Sequence, residues 1–268
     1  MPEGDTIFRA ARTLHQALAG RAVTRFDSVF PRLTRVDDDR ALRGRTIERV
    51  EARGKHLLIW FSGDLVLRTH MRMHGSWHIY RPGEPWQRPR ADMRIVLGTS
   101  EYEAVAFSVP IAELTDARSL ARDPAVRGLG PDILAEAFDA ADVTRRIAQS
   151  ADAEIGDAVL DQRNVAGIGN IFKSESLFAA KIDPFTRVGD LSEGDLNRVV
   201  LAARKLMRAS TAAGRAPRRA VYGRAGQPCR RCGSRIRSRK QGADARTTYW
   251  CERCQCVTTA SRSDRDRG

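Results

Sequence analysis

A chain of 268 residues, 42% hydrophobic and 29% charged, fits about two globular domains and excludes wholesale disorder. Its longest apolar runs, Leu57–Phe61 among them, fall far short of the roughly 20 residues of a membrane helix, and no basic-then-apolar secretory signal opens it. A soluble, cytoplasmic protein with no membrane partner is expected. The net charge of +13 is lopsided: residues 1–200 hold 28 basic against 29 acidic side chains, residues 201–268 hold 18 against 4. A codon bias would account for 41 Arg beside 5 Lys, but not for the confinement of the excess to one quarter, which suits contact with phosphates.

In chain order, Ile7, Ala11, Leu14 and Leu18 share one helical face, which predicts a helix over 5–19. From 44 to 114 the pattern shortens to strand-length runs at 46–53, 55–62, 65–70, 77–80, 93–97 and 103–107, separated by turn residues such as Gly54 and Gly63-Asp64. That spacing argues for a sandwich or barrel. Residues 122–131 break periodicity and read as a linker. Helical patterns follow at 139–149, 154–161, 169–180 and 192–209, then a basic loop, two cysteine pairs, and a tail too polar to fold.

Cys229-x2-Cys232 and Cys251-x2-Cys254 have the spacing of a four-thiolate structural zinc site, a closed tetrahedron with no position left for water. One structural zinc ion is expected, and no organic cofactor. Cys256 is the odd thiol out. Some 35 residues cannot fold on their own core, so the module needs its metal. Between the pairs a hairpin should carry Arg235, Arg237, Arg239, Lys240 and Arg246 as a finger with a basic tip. A zinc ribbon of a ribosomal or transcription protein has the same pattern, so this signal names no reaction.

Pro2 follows Met1 directly, and an initiator methionine is normally removed before so small a residue. A free secondary amine would then start the chain. An α-amine with pKa near 8 has a far larger neutral, nucleophilic fraction at neutral pH than a lysine near 10.4. Glu3 stands beside it as an acid or base.

Four motifs then occur in order: Met1-Pro-Glu-Gly-Asp5, Arg53-Gly-Lys-His-Leu-Leu58, Gly167-Ile-Gly-Asn-Ile-Phe172, and Tyr222-Gly-Arg-Ala-Gly-Gln-Pro-Cys229 with Trp250-Cys-Glu-Arg-Cys-Gln255. Together, across residues 1–256, they resemble the formamidopyrimidine-DNA glycosylase/endonuclease VIII family of bifunctional base-excision-repair enzymes. The resemblance implies an α+β fold: an N-terminal β-sandwich with a leading helix (1–121), a linker (122–133), a helix–two-turn–helix domain (134–213) and a zinc finger (221–256), with the polar residues 257–268 left as a disordered tail. It also implies a monomer acting on damaged DNA, with the damaged nucleotide flipped out of the stack.

The resemblance gives Pro2 the part of nucleophile, forming a Schiff base with the sugar, and Glu3 that of proton shuttle. Lys55, just past Gly54, becomes a phosphate contact and proton donor for elimination. Asn170 becomes a phosphate contact at a helix start, and Arg246 a finger arginine that assists δ-elimination. The loop Met71–His74 occupies the place of the family's void-filling residues, which makes Arg72, Met73 and His74 candidates for filling the gap. Arg127 is carried over as a DNA contact although it lies one position off the family's arginine, where Gly128 stands. Thr6 replaces a frequent Glu. No arginine follows Phe107, and the connection from Ala209 to Val221 is short. Those last two absences favour the endonuclease VIII branch and oxidised pyrimidines. Oxidised purines or abasic sites, or a non-catalytic damage binder on the same scaffold, stay open at this point.

Overall fold

The computed structural model describes residues 2–214 and 218–256 and divides between Gly128 and Leu129 into two compact units. The polar tail expected over 257–268 lies outside the described residues, as do 215–217 within the basic loop.

The first unit opens with helix α1 (Gly4–Leu18), whose four predicted face residues Ile7, Ala11, Leu14 and Leu18 are all buried. The helix lies against strand β2 (Ile47–Arg53), where the Val50 N–H donates to His15 Nδ1 at 3.1 Å. Seven further strands follow or precede it: β1 (Arg25–Ser28), β3 (His56–Phe61), β4 (Leu65–His70), β5 (Ser76–Tyr80), β6 (Met93–Gly98), β7 (Glu103–Phe107) and β8 (Ile111–Thr115). They form two antiparallel four-stranded sheets, ordered β1-β6-β7-β5 and β2-β3-β4-β8. One core holds Leu57, Ile59 and Leu67 from the second sheet with Ile95, Leu97 and Ala106 from the first. The expected alternative of sandwich or barrel therefore resolves as a sandwich.

Strand β3 is buried along almost its whole length because both its faces meet apolar layers. Leu58 and Val66 on the outer face pack under Leu120 and Val126, from helices α3 (Ala117–Arg122) and α4 (Pro124–Arg127). Trp86 likewise covers Phe107 and Val105 outside the other sheet.

Several elements escaped the sequence pattern, α3 among them. Helix α2 (Pro31–Asp39) buries only Leu33, so its apolar face is too narrow to register; Pro31 at its start is the remaining signal. Strands β1 and β8 are short sheet edges. The stretch read as a linker also contains α4, started by the Asp123 carboxylate accepting the Ala125 N–H at 2.8 Å.

The second unit packs α5 (Ala140–Ala148), α6 (Ile155–Leu160), α7 (Asn170–Ala180) and α8 (Glu193–Ala213) around Val143, Ile147, Val159, Phe172, Val199 and Met207. A capping box of Ser192 and Asp195 starts α8, and Gly214, left-handed at φ +66°, ends it. The helix thus runs past the Ala209 end that periodicity suggested. Strands β9 (Arg237–Gln241) and β10 (Arg246–Trp250) form the finger hairpin. A small core of Val221, Cys229, Ile236 and Cys251 seats the finger on Phe178 of α7. Among the described residues, no helix is long and apolar enough to cross a membrane.

The hairpin needs one correction. Its tip, Gly242–Ala245, is not basic but carries Asp244; Arg237, Arg239 and Lys240 line β9 instead. A side chain at Gly242 would meet Asp157 at 2.5 Å, so the tip lies tight against α6.

Candidate active site

Helix α1 sets the start of the chain. Glu3 is its N-cap, with extended backbone, and its carbonyl accepts the Thr6 and Ile7 N–H groups at 2.9 and 3.0 Å. That anchors Pro2, half-buried, directly beside a Glu3 side chain only 1% exposed. Asp5 is buried too and pairs with Arg9 at 3.5 Å. Thr6, where a carboxylate was the family expectation, instead donates to Asp5 Oδ1 at 3.3 Å and accepts from Arg9 at 3.4 Å. Its hydroxyl joins a local charged pair rather than adding a third acid.

Lys55 occupies the tight turn between β2 and β3. Gly54 takes φ +59° and Arg53 pairs with His56, leaving a two-residue Gly-Lys turn with glycine at its first, left-handed position. Beyond it lies a histidine pair absent from the sequence reading. His56 and His70 meet edge to face at 4.9 Å. Burial, then the charges of Arg72, Lys55 and Arg68, push the His70 pKa down to about 4. Burial, then His70 and Arg68, push His56 to about 3. Both rings are neutral at neutral pH and serve as acceptors. His56 Nδ1 lies 3.3 Å from the buried Arg68, which pairs with Glu113 at 2.5 Å and Asp123 at 2.9 Å.

The loop between β4 and β5 separates its two methionines. Met71 is a core residue, 2% exposed, whereas Met73 is 49% exposed, and Arg72 and His74 beside it are exposed as well. The Gly75 N–H closes the loop on the Met71 carbonyl at 2.9 Å. Arg127, also exposed, ends α4.

In the second unit Gly169, not Asn170, is the N-cap of α7; Asn170 is its first helical residue. Asn170 is 5% exposed and its Nδ2 donates to the Thr247 carbonyl at 2.7 Å, next to Arg246 at the start of β10. Two further residues of α7 escaped sequence reasoning. Lys173, fully buried, reaches Thr248 Oγ1 at 2.5 Å and Gln241 Oε1 at 3.3 Å. Glu175 accepts the backbone N–H groups of Ala220, Val221 and Tyr222 at 2.8–2.9 Å. Their one signal was spacing: Lys173 lies three residues past Asn170, on the same side of the helix.

The four Sγ atoms of Cys229, Cys232, Cys251 and Cys254 lie within 4.8 Å of one another, and none is in a disulfide. Cys229 to Cys254 is 3.9 Å and Cys232 to Cys251 3.5 Å. A tetrahedron with Zn–S bonds of about 2.3 Å has edges of roughly 3.8 Å, so the four thiolates fit one zinc ion. Cys256 is exposed and outside this cluster.

Known proteins match this geometry over almost the whole length. The formamidopyrimidine-DNA glycosylase N-terminal domain matches residues 1–122, the formamidopyrimidine-DNA glycosylase H2TH domain 129–219, and the zinc finger found in FPG and IleRS 226–257. "Probable endonuclease 8 2" of Streptomyces coelicolor is 41% identical over 95% of this chain and 94% of its own. The chain belongs to the formamidopyrimidine-DNA glycosylase/endonuclease VIII family. Within that family, the "DNA-(apurinic or apyrimidinic site) lyase Nei2" of Mycolicibacterium smegmatis is 39% identical over 96% of this chain and all of its own. A Lactococcus lactis Fpg solved with DNA containing an abasic site shares the fold, with a TM-score of 0.83 and 24% identity over 95% of this chain and all of that one. The named relatives lean towards the endonuclease VIII side of the family.

Proposed function

We propose that this protein is a DNA glycosylase and abasic-site lyase of base-excision repair, acting as a monomer on oxidised pyrimidines. The observation that carries the reading is the start of α1, where Pro2 adjoins the buried carboxyl of Glu3. Once Met1 is removed, the Pro2 nitrogen attacks C1′ of a flipped nucleotide and the glycosidic bond breaks, the base leaving with the electron pair. Glu3 protonates the sugar ring oxygen as the ring opens. A secondary amine can give only a positively charged iminium, with no N–H left to lose. That permanent charge draws electrons from the sugar through β- and then δ-elimination, expelling first the 3′ and then the 5′ phosphate.

Lys55, displayed by its turn, contacts a backbone phosphate and supplies protons. Asn170 and Arg246, joined through Thr247, hold the phosphates next to the lesion, and Arg246 assists the second elimination. Arg72, Met73 and His74 fill the space left by the flipped base, and Arg127 adds a further backbone contact. The zinc ion, held by Cys229, Cys232, Cys251 and Cys254, fixes the hairpin and takes no part in the chemistry.

Borohydride reduction tests the central claim. The Met-free protein mixed with abasic-site DNA should form a stable covalent adduct, and Pro2→Gly should form markedly less. Binding without trapping by the Met-free wild type would overturn the reading in favour of a non-catalytic damage binder. Nicking of thymine glycol or dihydrouracil DNA ahead of 8-oxoguanine DNA would support the lesion class, and the reverse order would overturn it.

A further inference from the structure

We propose that Lys173 is a positioning residue for the lyase reaction, fixing the start of β10 on the first turn of α7 so that Asn170 and Arg246 act as one unit. The proposal rests on the functional reading above and adds a residue to it. Lys173 is fully buried with its Nζ on the hairpin, and it acts through the hairpin.

Burying an ammonium fully is costly unless its protons find acceptors. Lys173 directs its Nζ at both strands of the hairpin, to Thr248 on β10 and Gln241 on β9. Thr248 Oγ1 in turn donates to Gln241 Oε1 at 2.6 Å, and Gln241 Nε2 donates to Glu154 Oε2 and the Pro184 carbonyl, both at 2.8 Å. Glu154 is the N-cap of α6. One lysine therefore centres a polar network that joins α6, α7 and both strands. Burial raises the pKa of Asp157, beside the hairpin tip, while the Lys173 charge pulls it back down.

Register connects this network to the arginine. Gln241 is the cross-strand partner of Arg246. The next residue, Thr247, holds its carbonyl on Asn170, and the one after, Thr248, holds its hydroxyl on Lys173. Three consecutive residues thus carry Arg246, the Asn170 bond and the Lys173 bond. The fit is close: a side chain on Gly156 would meet Gln241 Oε1 at 2.4 Å. An apolar residue could fill the volume under the hairpin, but it would supply no direction. An ammonium that donates to two fixed acceptors, one on each strand, supplies one.

The test compares wild type, Lys173→Met and Lys173→Arg for zinc content, borohydride trapping on abasic-site DNA, and the ratio of δ- to β-elimination products. Lys173→Met should keep one zinc per chain and trap within about threefold of wild type, while its δ-to-β ratio falls at least tenfold. Lys173→Arg should recover most of that ratio. If Lys173→Met loses its zinc, Thr248→Val, which removes the hydroxyl's bonds to Lys173 and Gln241 and keeps the shape, carries the same product test. An unchanged ratio in the zinc-bound variant overturns the proposal alone, as does a Lys173→Arg protein no better than Lys173→Met. A wild type that neither traps nor nicks overturns the lyase reading and this proposal with it.

Discussion

His70 Nδ1 accepts the backbone N–H of Arg72 at 3.1 Å, and Arg72 holds a left-handed φ of +50° in that loop. A non-glycine residue in this conformation costs ~1–2 kcal/mol. The strain is retained in the segment that exposes Arg72, Met73 and His74 while burying Met71. Strain concentrated at a loop with an exposed apolar tip fits a part shaped for insertion rather than for stability.

Replacing Arg72 by glycine separates the two roles of that residue. The backbone strain is relieved, partly offset by the extra freedom of an unfolded glycine, so stability should stay level or rise by up to ~1 kcal/mol. Base removal should fall tenfold or more, because the flipped state loses a filler. Nicking of a preformed abasic site, which has no base to extrude, should change little. Parallel assays on thymine glycol and abasic oligonucleotides check this; equal losses on both would argue against the wedge role.

The histidine pair sets an acid limit. Both folded pKa values, about 3 for His56 and about 4 for His70, lie below the ordinary 6.5, so the unfolded chain binds more protons between pH 6.5 and those values. Stability from these rings is therefore fully present above pH 6.5 and is lost as pH falls through 4 and then 3. The melting temperature should drop over this window. His56→Gln, which stays uncharged, should flatten the drop, and a His56→Gln protein as acid-sensitive as wild type would remove His56 from this account.

What was legible in the sequence follows from which signals are local. The α1 face, most of the strands and each Cys-x2-Cys pair depend on neighbours a few residues apart, and so did the Gly54-Lys55 turn. The polar interior was not legible, because its partners are remote. Lys173 meets Gln241 and Thr248, 68 and 75 residues away, and Glu175 meets a loop 45 to 47 residues on. A lysine or glutamate within a helix reads as a solvated charge until the hairpin that covers it is known. Asn170 shows the same effect: it stands at a helix start, as the sequence suggests, but its side chain turns to Thr247.

Metal removal should act locally. The finger's core comprises Val221, Ile236, Phe178 and the cysteines, too little to persist without zinc. Trp250, edge-on to Phe185 at 4.8 Å, reports on that contact. Stripping the metal with a mercurial and a chelator should shift tryptophan fluorescence and abolish nicking, while leaving the melting of the sandwich in place. Zinc should restore both signals. A Trp250→Phe protein should lose the fluorescence change, and one that keeps it would assign the signal elsewhere.

Glu175 is the other fastening of the finger, and it fails differently. One carboxylate oxygen accepts the Val221 and Tyr222 N–H groups and the other accepts that of Ala220, fixing the chain as it enters the finger. Hydrogen bonds to a charged acceptor contribute roughly 1.5–3 kcal/mol each. Glu175→Gln removes the charge and sets an amide donor against at least one backbone N–H, so a net loss of ~2–4 kcal/mol is expected. Because Glu175 faces the finger and not the core around Val199 and Met207, the loss should fall on the finger. Limited proteolysis should cut near 218–224 earlier than in wild type, and half-loading should need more free zinc. Uniform destabilisation of both units, with the 218–224 segment still protected, would show that Glu175 serves the helical core instead.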